Sequence, residues 1–147
     1  MRLPSVVNIL CKTVTSHPAR RIALILLCAP YLTSGVHKLV DFDAGIAEMA
    51  NYGLTPSAPY AAVTIVIQIL FSILVITGFC RWLGALGLAA FTIAASLVAD
   101  PFWHTTSARF FAGLQAFVEH IALAGGFLLV AWYALHKYRN RGRDDWE

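Results

Sequence analysis

Charge is the scarce commodity in this chain. Asp, Glu, Lys and Arg together make up 13% of its 147 residues, about half the ~25% usual in soluble domains. Four long windows contain none of the four: residues 22–37, 49–80, 82–99 and 120–136. Cysteine is sparse as well. Cys11, Cys28 and Cys80 are isolated, with no C-x-x-C, which argues against thiol redox catalysis. His, Cys, Asp and Glu never cluster at zinc-ligand spacing. There is no phosphate-binding glycine loop, and no Ser-His-Asp arrangement can be argued from spacing. The N-terminal cluster Val6, Val7, Ile9 and Leu10 is too short for a signal-peptide core, and no small-residue cleavage site follows it.

What remains is apolar, at 59% of the residues. A hydrocarbon core about 30 Å thick needs roughly 20 mostly apolar residues to cross it as a helix. Each uncharged window, completed by its flanks, meets that length. A soluble all-α protein of this size has one small core, which cannot cover four helices that are apolar all round. The sequence therefore predicts an all-α fold, a transmembrane four-helix bundle in one domain, with spans near 19–39, 60–79, 82–99 and 117–135.

Punctuation residues place the ends. Ser16 is suited to cap the first span, with Pro18 in its first turn. Pro30 lies inside that span and removes one backbone hydrogen bond; Thr33 and Ser34 are placed to satisfy the freed carbonyl. Between the first two spans, Ile46, Met49 and Ala50 share a face, with Glu48 and Asn51 elsewhere. This predicts a short amphipathic interfacial helix capped by Asp43. Residues 1–18 are expected in the cytoplasm or along the membrane surface, residues 100–116 as an aromatic-rich loop, and residues 136–147 as a mobile basic tail.

The basic residues sort into two sets. Arg2, Lys12, Arg20, Arg21, Arg81, Lys137, Arg139, Arg141 and Arg143 fall on one side, Lys38 and Arg109 on the other, nine against two. Positively charged loops stay in the cytoplasm, so both termini are expected there. The net charge of +3 then reports topology and attraction to anionic headgroups, not nucleic-acid binding. The expected location is a bacterial inner (plasma) membrane.

Three stretches in order carry a resemblance: Ser34-Gly35-Val36-His37-Lys38-Leu39; Thr77-Gly78 with Arg81 and Gly84-Ala85-Leu86; and His120-Ile121-Ala122-Leu123-Ala124-Gly125-Gly126. Asp100-Pro101-Phe102-Trp103 adds an aromatic loop. The set resembles the DoxX family of small four-helix inner-membrane proteins, over about residues 20–135. Gln68 stands where the family carries Glu, and Glu119-His120 where many members have Lys-Asn. The resemblance implies a small subunit or accessory protein of a membrane redox system, near the quinone pool. The competing reading is a non-catalytic membrane scaffold, chaperone or assembly factor. Whether the chain is an enzyme, and which catalytic residues it would use, is not specified by these motifs.

Polar groups inside spans are costly in lipid unless paired. His37, Lys38, Gln68, Asp100, Glu119 and His120, with Arg109 above them, fall at similar depth and define a candidate polar site in the outer leaflet. As a functional site, His or Lys would hydrogen-bond a quinone oxygen and Glu119 would relay a proton. As a structural one, Lys38 snorkels while Glu119 and Asp100 pair with Lys38 or Arg109; ion pairs at helix ends are common, which favours this version. Gln68 is expected to hydrogen-bond across helices to Thr33, Ser34, Thr92 or Ser96. Gly35, Gly84, Gly87, Gly125 and Gly126 are expected to permit close helix packing. No cofactor motif is evident. A quinone is compatible with the family; a haem between His37 and His120 is disfavoured, because neither lies deep in its helix. No metal is expected. Lipid, another membrane or soluble redox subunit, and a second copy of the chain are the partners considered.

Overall fold

The computed structural model describes residues 5–99 and 107–144. Six helices follow in order: α1 (Ser5–Val14), α2 (His17–Val40), α3 (Phe42–Asn51), α4 (Ser57–Thr77), α5 (Arg81–Ala99) and α6 (Ser107–Asp144). No strand occurs among the described residues. Four helical stretches are long and apolar enough to cross a membrane: His17–Val40, Ser57–Thr77, Arg81–Ala99 and, within α6, Phe110–Asn140.

The helix ends follow local chemistry. The Ser16 side chain accepts from Ala19 N at the start of α2, and Pro18 occupies the first turn. Gly78 ends α4 in the left-handed region at φ 89°, a conformation that glycine adopts without steric cost. α2 runs unbroken past Pro30. The Thr33 hydroxyl donates to Ala29 O and Pro30 O, not to the Leu26 carbonyl that Pro30 frees.

Four expectations need correction. The cap of α3 is Asp41, whose carboxylate accepts from Ala44 N at 3.0 Å, not Asp43. The inward face of α3 is Gly45, Glu48 and Met49, while Ala50 is exposed; these three fall at the i, i+3, i+4 spacing of one helical stripe. The second loop ends by Ser107, so residues 107–116 begin α6. The basic tail is helical to Asp144 rather than loose. At 1.5 Å per residue the 38 residues of α6 extend about 57 Å. That is longer than the bilayer core, so its polar C-terminal turns continue beyond the apolar zone.

In the bundle α2 packs on α4, α4 on α5 and α5 on α6; α3 lies on α4 and α2, and α2 meets α6 sparingly. Cys28, Val75, Leu88 and Phe127 are fully buried where the four spans converge, with Leu24, Tyr31, Ala85, Ala89, Ala124 and Ala131 around them. Small residues bring backbones close, which drives packing where lipid removes the hydrophobic difference between core and surroundings. At Gly84 a Cβ would stand 2.7 Å from the Phe71 carbonyl oxygen, and at Gly87 it would overlap the Phe71 ring. Gly126 approaches Leu27 more loosely, and Gly125 has nothing within 4 Å of the position its Cβ would take.

Candidate functional site

One face of α2 carries Tyr31, Ser34, Gly35 and Lys38, spaced as a single helical stripe that turns into the bundle. Gly35 sets the approach of α4: a Cβ there would be 2.9 Å from Ile69 Cγ1 and 3.2 Å from Gln68 Cβ. The close approach lets Gln68 Nε2 donate to Ser34 Oγ at 3.3 Å. The same oxygen accepts from Lys38 Nζ at 2.7 Å. Lys38 Nζ also stands 3.0 Å from Glu48 Oε2 on α3. The ammonium is thus buried only where a carboxylate from the interfacial helix comes down to meet it, as burial of a charge requires.

Deeper in, Tyr31 and Thr92 share a 2.5 Å hydrogen bond between α2 and α5. Thr92 Oγ1 donates to Leu88 O, so Tyr31 OH is the donor to Thr92. The Tyr31 ring packs edge-on against Phe91 and Phe127.

These groups border a cavity of about 540 Å³ reaching from Tyr31 and Thr92 to Lys38 and Glu48. Its walls include Tyr60, Val63 and Ile67 of α4, Phe91 and Val98 of α5, and His120 and Leu123 of α6. Ligand pockets are commonly mostly apolar, with a few polar groups that fix orientation. Two polar atoms here are buried and have no hydrogen-bond partner: Gln68 Oε1 and His120 Nδ1. A buried polar group left unmatched costs about 1–3 kcal/mol, and both of these atoms belong to residues that line the cavity.

Of the seven residues expected at a polar site, Lys38, Gln68 and His120 line this cavity. His37 is exposed on α2. Glu119 is exposed and accepts from Gln115 Nε2 at 2.9 Å; it does not line the cavity, so a proton relay through it has no geometric support. Asp100 and the side chain of Arg109 lie outside the described residues. Among the described residues the ion-pair partner of Lys38 is Glu48, not Glu119; the pairing expected with Asp100 lies outside the described residues. Of the partners expected for Gln68, Ser34 is the one it reaches. Glu48 and Tyr31 were missed, and Thr92, expected as a partner of Gln68, bonds Tyr31 instead. The available signal was the stripe from Tyr31 through Ser34 to Lys38, continued across the Asp41 break by Glu48. Among the described residues, no group of three or more His, Cys, Asp or Glu could hold a metal ion.

The profile of the DoxX family matches residues 21–101, a stretch that contains every cavity residue named above except His120 and Leu123. The chain is 25% identical to inner membrane protein YphA of Escherichia coli (strain K12) over 111 residues, covering 76% of this chain and 77% of that protein. No solved structure matches it. With four membrane-crossing helices and the family profile over more than half its length, the chain is a multi-pass integral membrane protein and belongs to the DoxX family.

Proposed function

We propose that the protein resides in a bacterial inner membrane with its termini in the cytoplasm. There it acts as a small accessory subunit of a redox system, receiving a quinone-type lipid-soluble carrier between its helices. The observation that carries this reading is the cavity itself. It has apolar and aromatic walls, Gln68 and the fixed Lys38 ammonium share Ser34 at one end, and its lining includes His120, whose Nδ1, like Gln68 Oε1, has no partner. A quinone has the matching form, a flat apolar ring with oxygens at its edge. The Nδ1 of a neutral imidazole donates or accepts according to tautomer. It would therefore bond a quinone carbonyl or a quinol hydroxyl, while Gln68 Oε1 would accept from the hydroxyl. Lys38, tied to Ser34 and Glu48, supplies positive potential near the ring oxygens without giving up its own bonds. YphA, named as an inner membrane protein, supports the location, and the nine-to-two division of basic residues supports the orientation.

The test is equilibrium binding of a short-chain quinone to protein purified in mild detergent. Saturable binding by the natural chain, weakened tenfold or more in Gln68→Leu and His120→Leu, supports the reading. Only non-saturable partitioning, equal in all three proteins, would leave a scaffold without a small-molecule ligand as the better account.

A further inference from the structure

The seam between α4 and α5 changes character along its length. Near the Gly78 turn it is closed, because Gly84 and Gly87 let the α5 backbone come onto Phe71 of α4. From there each helix carries one stripe away from the turn, at the three- and four-residue steps of a single face. On α4 it runs from Phe71 to Ile67, Val63 and Tyr60, and on α5 from Gly84 and Gly87 to Phe91, Ala94 and Val98. Beyond Phe71 and the glycines, every one of these residues lines the cavity.

A stripe turned toward a neighbouring helix is covered where that helix is close. Ile67, Phe71 and Phe91 are half-buried. Tyr60, Val63 and Val98 are 45%, 55% and 42% exposed, and Ala94 is exposed as well. These four both border the cavity and reach the protein surface, two from each helix. The cavity therefore opens sideways between α4 and α5.

The opening lies at membrane depth. Val63 comes six residues after Ser57 and Ala94 five before Ala99, so both stand within about 10 Å of the ends of their spans. Val63, Ala94 and Val98 make its rim apolar, and Tyr60 at its edge suits the headgroup region. A slot of this kind faces acyl chains, not water. It is also continuous with the space that holds Gln68, Ser34 and Lys38. We propose that the slot carries the hydrocarbon tail of the bound ligand. The site would then take a tailed quinone, its ring beside Gln68 and its tail leaving past Val63 and Ala94 into the lipid. This rests on the quinone reading for the ring and adds the tail and its route.

Equilibrium binding to the full-length protein in mild detergent tests this, with two quinones of identical ring, one bearing a methyl group and the other a decyl tail. The quantity read is the affinity ratio of the tailed to the tailless compound. It is compared between proteins, so that uptake of the tail by detergent cancels. Ala94→Phe and Val63→Trp place bulk in the slot and should each lower the ratio about fivefold, the worth of roughly ten carbon–carbon contacts. Both positions are exposed, so the larger side chains crowd no buried core. Val66→Phe, on the lipid-facing side of α4, should leave the ratio unchanged. The same ratio in the natural chain, Ala94→Phe and Val63→Trp would overturn the tail route while leaving ring binding in place. An equal fall in Val66→Phe would overturn it in favour of general contact with the outer surface. Loss of the tail's advantage in the natural chain on adding phospholipid would overturn it in favour of a bilayer acyl chain as the occupant. Saturable binding of neither quinone would overturn the quinone reading and the route with it.

Discussion

Lys38 Nζ stands 3.0 Å from Glu48 Oε2, and this contact joins a membrane-spanning helix to the short helix lying across its end. The two residues flank the break at Asp41, so the chain folds back on itself and closes the turn with an ion pair. Only the lysine is deeply buried: its side chain is 7% exposed against 39% for the glutamate. Removing the carboxylate therefore strands a buried charge, whereas removing both partners does not. Glu48→Gln should lower stability by about 1–3 kcal/mol, discounted from the fully buried case because Glu48 reaches solvent. The double variant Lys38→Met with Glu48→Met should recover much of that loss. Thermal unfolding in detergent measures both.

Gln68 gives a prediction with opposite signs in two assays. Its Nε2 bonds Ser34, but its Oε1 is buried without a partner. Gln68→Leu loses one ordinary hydrogen bond and also removes an unmatched acceptor, so the ligand-free protein should change by less than about 1 kcal/mol. Quinone affinity should nevertheless fall at least tenfold. A purely structural glutamine would show the reverse: a clear stability loss and no binding effect. Unfolding of the ligand-free protein, compared with equilibrium binding, separates the two.

The glycines divide by what surrounds them. Gly84→Ala pushes a methyl against the Phe71 carbonyl oxygen, a backbone atom that cannot step aside, and should cost about 1–3 kcal/mol as overpacking does. Gly125→Ala meets nothing within 4 Å and should be neutral or stabilising by up to about 1 kcal/mol, since alanine is the better helix former. Paired unfolding curves check the contrast.

The natural cysteines report the proposed orientation. Cys11 and Cys80 are exposed and Cys28 is buried. A membrane-impermeant maleimide should label Cys11 and Cys80 in inverted vesicles and neither in intact spheroplasts, with Cys28 unlabelled in both. Labelling from outside would reverse the topology.

The spans were legible because lipid imposes one strong rule: a crossing helix must be long, apolar and free of unpaired charge. The start of α2 was legible in Ser16 and Pro18, where local chemistry decides. Glu48 was not. Its place beside Lys38 depends on how α3 folds back over α2, and helical periodicity was anchored on Ile46 and Ala50 beside Met49 instead of Gly45 and Glu48 beside it. The helical tail was hidden for a related reason. Residues 136–144 are polar, and their helix continues from an apolar segment instead of announcing itself. Depth along the membrane grouped His37, Glu119 and His120, but depth says nothing about which way each faces. Rotation about the helix axis puts His120 in the cavity and leaves its neighbour Glu119 exposed.

Photo-crosslinking tests the central claim, that the space between Tyr31 and Lys38 receives a quinone-type carrier, most directly. A short-chain quinone bearing an azide on its ring, activated in membranes containing the natural chain, should attach to peptides carrying Tyr31, Tyr60, Phe91 or His120, and excess unlabelled quinone should suppress this. Attachment confined to the lipid-facing residues Leu26, Val66 and Leu129, unaffected by competitor, would contradict it.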